Sequence, residues 1–144
     1  MSNITTTSRV DFECGYIYDR SFEAHRYTLE ITVDGPQRLA DLGMIITFEH
    51  LQSIMVANTP DKAYLLSNQH ASELAKDVAE ILAHGGIATL EVPTTGDKVT
   101  AENLLAYLVD VVQNQLHTEV PGVRILQARL RENSKSFVEW KRED

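Results

Sequence analysis

The sequence contains little cysteine, no long apolar run and few positive charges. Only one of its 144 residues is cysteine, which excludes an internal disulfide framework and indicates a reducing compartment. No apolar stretch is long enough to span a membrane, and the first eight residues are polar rather than signal-like. We therefore expect a cytoplasmic protein without a membrane partner.

The net charge of the chain also bears on which classes of binding partner it can have. Lys and Arg number 13 and Asp and Glu number 21, which gives a formal net charge of −8. Such an acidic chain is unsuited to nucleic acid or an anionic membrane as its main partner. The length is typical of a single domain, which we predict to extend over residues 1–144.

Alternating apolar residues predict strands over residues 9–18 and 22–33, joined as a hairpin and followed by turn residues at 34–36. A second hairpin is predicted from residues 123–131 and 136–140, with Leu126, Ala128 and Leu130 on one face. Residues 87–92 read as a short strand or an extended connection.

Helical spacing of apolar residues predicts three helices. Thr47 can cap a short helix from Phe48, residues 71–84 form a second, and Thr100 caps the clearest one. The order of strands, helices and strands predicts an α+β fold, an antiparallel four-stranded sheet with helices on one face. The open edges of such a sheet favour association.

A polar pair stands at one end of the second strand. Glu23 and His25 are two residues apart and share a strand face, which continues as Tyr27, Leu29 and Ile31 toward a core. Glutamate and histidine can bind a metal or transfer protons, so this strand end is a candidate site. The alternative is that both side chains are simply solvated or structural.

Five segments resemble motifs of one enzyme family. Residues 22–27 resemble Leu-His-Gly-His-x-Tyr, 43–48 resemble Gly-Met-Val-x-Asp-Phe, and 61–66 resemble an Asp-His-x-x-Leu segment. Residues 100–104 resemble Thr-x-Glu-Asn-Leu, and 130–133 resemble a late strand that ends in Glu-Thr. In this order they resemble the 6-pyruvoyltetrahydropterin synthase and 6-carboxytetrahydropterin synthase family.

The resemblance implies the tunnelling fold (T-fold), in which sheets of several subunits join into a barrel. It implies a homo-oligomer, a trimer or hexamer, with active sites between subunits. The family's chemistry acts on 7,8-dihydroneopterin triphosphate and uses zinc as cofactor. The stretch between residues 61 and 100 is longer than we would expect of a compact member, so the helix at 71–84 resembles an insertion.

The resemblance assigns the ligand anchor to Glu132. A glutamate at this position accepts hydrogen bonds from the ring N–H and amino groups of a pterin, a charge-assisted contact that fixes the ring. Asn133 replaces a threonine and can also bond the ring. The alternative is that Glu132 is a hairpin-end carboxylate paired with Arg131 or Lys135.

The zinc ligands of the family correspond here to Tyr16, Glu23 and His25, so only one histidine remains. Zinc accepts oxygen ligands, but such a set binds it less tightly than three imidazoles do. We favour the alternative, a metal-free pocket in which Tyr16 and Glu23 hydrogen-bond to His25.

The proton-transfer groups of the family are also substituted. Asp19 stands where the family has its cysteine, Lys62 replaces the histidine of the Asp-His segment, and Asp61 precedes it. A lysine acts as a base only if its ammonium loses a proton readily, which the neighbouring carboxylate opposes. Cys14 lies in the preceding strand and is interpreted as a packing residue.

The sequence therefore predicts a pterin-synthase-like protein with a retained pocket for a pterin or purine-like ligand at a subunit interface. With its zinc and proton-transfer residues changed, it is predicted to act without the usual zinc-dependent step. One alternative is a non-catalytic binding or regulatory homologue. Another is a true carbon–oxygen lyase of this family with an oxygen-rich metal site.

Overall fold

The computed structural model describes residues 4–18, 22–36 and 43–143. The six strands and three helices of this part, in chain order, are β1 (Thr6–Ile17), β2 (Phe22–Asp34), α1 (Phe48–Asn58), β3 (Ala63–Ser67), α2 (Glu73–His84), β4 (Thr89–Val92), α3 (Ala101–Glu119), β5 (Arg124–Arg131) and β6 (Phe137–Lys141). Within it, no helix is long and apolar enough to cross a membrane.

The strands form one six-stranded sheet in the order β4-β3-β1-β2-β5-β6. The two predicted hairpins are present, and β2 joins them by pairing antiparallel with β5. The prediction of four antiparallel strands is wrong, because β3 pairs parallel with β1 and β4 pairs parallel with β3. Helix α2 provides the long crossover that a parallel pair such as β3 and β4 requires.

Strand β5 contains an irregularity that the alternating pattern did not predict. Thr32 pairs with Gln127 but Val33 pairs with Ile125, so Leu126 is the extra residue of a β-bulge. Because of this extra residue, buried and less buried side chains alternate in the opposite sense before Leu126 than after it. Ile125 is therefore buried, whereas Leu126, which we placed with Ala128 and Leu130, is only partly buried.

The predicted helix caps are confirmed. The Thr47 side chain accepts a hydrogen bond from the backbone N–H of His50 at the start of α1. At α3, Thr100 and Asn103 form a capping box in which each side chain bonds the other's backbone. Helix α2 begins at Glu73 because Ser72 caps it, two residues later than the periodicity indicated.

The helices pack on both faces of the sheet, so the prediction that they share one face is wrong. Helices α1 and α3 cover the main hydrophobic core through buried residues such as Leu51 and Leu108. A second cluster under α2 contains Ile17, Leu66 and Ala75. Because successive strand residues point to opposite faces, β3 places Leu65 in the first cluster and Leu66 in the second.

Candidate functional site

A polar and aromatic cluster lies where the main core face meets the joined ends of β1, β2 and β5. Its members are Tyr16 of β1, Glu23, His25 and Tyr27 of β2, and Glu132 directly after β5. Tyr16 pairs with Glu23 in the hairpin register, and directly opposite residues point to the same face. The pairing of Leu29 with Leu130 places the residues after β5 beside this end of β2.

The imidazole of His25 lies between two carboxylates. Its Nδ1 is 2.7 Å from Oε1 of Glu132, and its Nε2 is 3.3 Å from Oε2 of Glu23. The His25 side chain is 26% exposed, while Glu23 and Glu132 are 54% and 45% exposed. Both ring nitrogens donate at once only in the imidazolium form, so the two contacts are sensitive to the charge of His25.

Two buried tyrosines form the inner wall of the cluster. The hydroxyls of Tyr16 and Tyr27 hydrogen-bond to each other, and their ring centroids lie 5.4 and 5.9 Å from that of His25. Burial raises the pKa of Tyr27 to about 12. Burial, and next the hydrogen bond with Tyr27, raise the pKa of Tyr16 well above its usual range. Both side chains are therefore neutral phenols near pH 7.

The three positions that correspond to family zinc ligands do not fit a zinc ion. Tyr16 would have to bind as a phenolate, but its raised pKa opposes this and its hydroxyl is engaged with Tyr27. In residues 4–18, 22–36 and 43–143, no group of three or more His, Cys, Asp or Glu side chains could hold a metal ion.

The hairpin end that carries the predicted anchor is held by hydrogen bonds of its own turn. Asn133 Oδ1 accepts from the backbone N–H groups of Lys135 and Ser136 at 2.8 and 3.0 Å, so it closes the turn. Arg131 places its guanidinium 4.8 Å from the centroid of the Phe137 ring. Glu132 pairs with His25 rather than with the two cations that we considered as alternatives.

Asp61 and Lys62 lie elsewhere, against β1. Asp61 Oδ1 accepts from the backbone N–H of Glu13 at 3.0 Å, and the backbone N–H of Lys62 donates to the Glu13 carbonyl. Lys62 lines a cavity of about 220 Å³ together with Cys14 and Tyr64. Within one chain the structure thus brings together Tyr16, Glu23, His25 and Glu132 but not these two residues. The predicted residue Asp19 lies outside the described ranges.

Three residues in or beside the cluster were not predicted as site residues. Tyr27 was assigned to the core, although its place in the same alternation as Glu23 and His25 could have indicated a site role. Tyr18 stacks on Tyr16 at 6.2 Å, and the Lys98 ammonium lies 5.1 Å from the Tyr18 ring centroid. No local sequence signal indicates the Lys98 contact, because it joins the residue that follows β1 to the distant loop before α3.

Solved structures of similar fold come from several organisms. An uncharacterized protein from Wolinella succinogenes has a TM-score of 0.71 at 12% identity, with 97% of this chain and 98% of that chain covered. The 6-pyruvoyl tetrahydropterin synthase of Plasmodium vivax has a TM-score of 0.64 at 10% identity, covering 99% and 100%. That of Caenorhabditis elegans has a TM-score of 0.62 at 16% identity, covering 97% and 96%.

At these identities the structural likeness establishes the fold and nothing more. No curated protein sequence matches the chain. The family model described as 6-pyruvoyl tetrahydropterin synthase matches residues 18–143, which is most of the chain and includes every member of the cluster except Tyr16. The chain therefore belongs to the 6-pyruvoyl tetrahydropterin synthase family.

Proposed function

We propose that this chain is a pterin-synthase-like protein that binds a pterin or purine-like ring at Glu132 and acts on it without zinc. The observation that carries the proposal is the half-exposed Glu132 carboxylate, held 2.7 Å from His25 at the edge of an aromatic wall. Membership of the family supports a pterin-synthase-like function in general.

Glu132 retains the capacity to anchor a ring although it already bonds His25. A carboxylate offers about four acceptor positions, and the contact with His25 occupies one of them at Oε1. Adjacent N–H and amino groups of a pterin or guanine can bond to the remaining positions. The contact would be charge-assisted, and such bonds are about twice as strong as neutral ones.

The groups around the ring are suited to proton transfer rather than to Lewis-acid chemistry. His25 is the one imidazole of the cluster, and the two carboxylates fix its orientation. Tyr16 and Tyr27 are neutral phenols, and because one hydroxyl donates to the other, one O–H is left that can donate to a ligand oxygen. The proposed chemistry is therefore acid–base catalysis by His25, with the phenols as hydrogen-bonding partners.

The proposed site is completed by a neighbouring subunit. Lys62 lines a cavity separate from the His25 cluster, and Asp61 bonds the backbone of Glu13, so both reach a bound ligand only if another copy presents them. In the part of the chain that the structure describes, β4 and β6 are the edge strands of the sheet, which supports a trimer or hexamer assembled through the sheet.

Binding of 7,8-dihydroneopterin and of guanosine to the metal-stripped protein tests the anchor. Glu132→Gln removes the charge with little change in shape, and we expect it to weaken binding about tenfold or more. Glu139→Gln, on the opposite face of the sheet, is the control and should leave affinity unchanged. Equal affinity of the Glu132→Gln variant and the unchanged protein would exclude Glu132 as the anchor.

Turnover distinguishes this proposal from a non-catalytic binder. With 7,8-dihydroneopterin triphosphate as substrate, we expect the metal-stripped protein to form product. We expect the His25→Gln variant to form none. Tight ligand binding with no product would indicate a binding or regulatory protein. Activity that requires stoichiometric zinc would instead indicate a lyase with an oxygen-rich metal site.

A further inference from the structure

The outward side of α2 presents two large aliphatic side chains to solvent. Leu74 is 45% exposed and Ile81 is 70% exposed. They are seven residues apart, two helical turns, and the partly buried Val78 lies between them at the four–three spacing of a helix-pairing seam. Two exposed aliphatic residues aligned on one helix form a stripe that another helix can cover.

Acidic side chains flank this stripe. Asp77, Glu80, Ile81 and His84 line a shallow hollow of about 530 Å³ on the same side of α2. The ion pair of Glu80 with His84 is long, at 3.9 Å, and fully on the surface, so it neutralises little of the charge. We call the surface formed by Leu74, Asp77, Glu80, Ile81 and His84 the α2 outer face.

We propose that the α2 outer face binds a basic amphipathic helix of another protein. The aliphatic seam fits the apolar side of such a helix, and lysine or arginine residues beside its seam would meet Asp77 and Glu80. A second copy of this chain fits less well. Antiparallel pairing of two α2 helices would place Asp77 and Glu80 of one copy against the same acidic residues of the other.

This surface is independent of the pterin site. Helix α2 packs through Ala75 on the cluster that contains Ile17 and Leu66. That cluster lies on the face of the sheet opposite to His25 and the main core. A partner on α2 therefore leaves the ligand pocket accessible, and failure of one proposal does not affect the other.

A synthetic helical peptide tests the inference with the 144-residue chain. The probe has about three heptads with leucine at the seam positions and lysine beside them, and its control has glutamate in place of lysine. Binding is measured by fluorescence anisotropy. We expect the basic peptide to bind and the acidic one not to bind, and the affinity to fall about tenfold in Ile81→Lys and in Glu80→Lys.

Matched variants on α1 separate a specific surface from general charge attraction. Val56→Lys changes an aliphatic residue that is 59% exposed, and Glu49→Lys changes the net charge as much as Glu80→Lys does. Both should bind the peptide like the unchanged protein. Equal weakening by the α1 variants, no effect of Ile81→Lys, or equal binding of the acidic peptide would overturn the proposal. So would self-association of the chain that Ile81→Lys abolishes, because the occupant would then be a second copy.

Discussion

Cys14 shows how burial determines the chemistry of a single side chain. It is buried in β1, and burial together with the nearby charge of Asp61 raises the pKa of the thiol to about 12. We expect the native protein to resist a thiol reagent at about pH 8, with labelling at least a hundredfold slower than in the unfolded chain. Absorbance with an aromatic disulfide reagent measures this.

The raised pKa of Cys14 also determines the direction in which the stability of the protein changes with pH. The unfolded thiol ionises near pH 8.5 while the native thiol stays protonated, so the stability from Cys14 is complete below that pH. It is lost as the pH rises from there toward 12. In the Cys14→Ala variant, this loss of stability at high pH and the labelling signal should both be absent. Rapid stoichiometric labelling of the native protein would contradict the assignment.

Lys62 has a backbone conformation that L-residues other than asparagine and aspartate rarely adopt. Its φ is +62°, and among the described residues it is the only non-glycine with positive φ. Asparagine tolerates this region better, so we expect Lys62→Asn to raise the free energy of unfolding by roughly 0.5–1 kcal/mol. Urea denaturation measures the change, and Lys98→Asn at an ordinary φ is the control.

Lys62→Asn also tests whether the strained position has a catalytic purpose. If Lys62 takes part in proton transfer from a neighbouring subunit, the variant gains stability and loses turnover, the exchange expected at a functional site. A more stable variant with full turnover would show that Lys62 is not catalytic. A less stable variant would show that the conformation is not strained.

At the scale of elements, Gly15 permits the close contact between β1 and β3. A methyl group at this position would lie 2.5 Å from Cε1 of the Tyr64 ring and 3.2 Å from the Glu23 carbonyl. We expect Gly15→Ala to lower the free energy of unfolding by roughly 1–3 kcal/mol. Gly96→Ala, where a Cβ would meet nothing within 4 Å, should have no destabilising effect.

A double-mutant cycle identifies the cause of that destabilisation. In a Tyr64→Ala background, Gly15→Ala should cost less, because the ring that it displaces is absent. Denaturation of all four proteins gives the coupling energy. The same cost in both backgrounds would assign the effect to the backbone of Gly15 or to Glu23 instead of the ring.

Which elements the sequence could predict follows from how local their signals are. The caps at Thr47 and Thr100 and the hairpins depend on neighbouring residues, and they were found correctly. Strand β3 has five residues and no alternating pattern, since Leu65 and Leu66 are both buried on opposite faces. Its parallel pairing depends on residues distant in sequence, and the bulge at Leu126 likewise arises only from pairing with β2.

The contacts of the candidate site also differ in whether nearby residues in the sequence predict them. The shared face of Glu23 and His25 follows from strand alternation, and the hairpin places Tyr16 opposite Glu23. The contact of His25 with Glu132 joins strands more than 100 residues apart, and only the resemblance to the family indicated Glu132. The partner of the Tyr16 hydroxyl was wrongly expected to be His25, because side-chain direction within a shared face is not fixed by the pattern.

At the scale of the whole molecule, one ion pair ties the end of β2 to the segment after β6. Arg142 donates to both carboxylate oxygens of Asp34 at 2.7 Å, across 108 residues of sequence. Arg142 thereby contacts both neighbouring strands: its side chain makes a two-point contact with Asp34 of β2, and its backbone N–H donates to the Leu126 carbonyl of β5. Breaking it should therefore lower the stability of the entire fold.

The hydrogen bonds from Arg142 hold the pKa of Asp34 below its usual range. A carboxyl with a lowered native pKa stabilises fully above its unfolded value, near pH 3.9, and loses that contribution as the pH falls through the native value. We expect Arg142→Ala to cost roughly 1–3 kcal/mol at neutral pH, and the difference from the unchanged protein to shrink below about pH 4. Denaturant titrations across this range measure it.

Arg142→Lys separates charge from geometry. Lysine keeps the positive charge but cannot make the paired donation of a guanidinium, so its stability should lie between those of the other two proteins. If the difference between Arg142→Ala and the unchanged protein were as large at about pH 2.5 as at neutral pH, ionisation of Asp34 would not be involved. Arg142 would then stabilise the fold through packing of the apolar part of its side chain. Any loss of stability in acid would have to arise from other carboxylates.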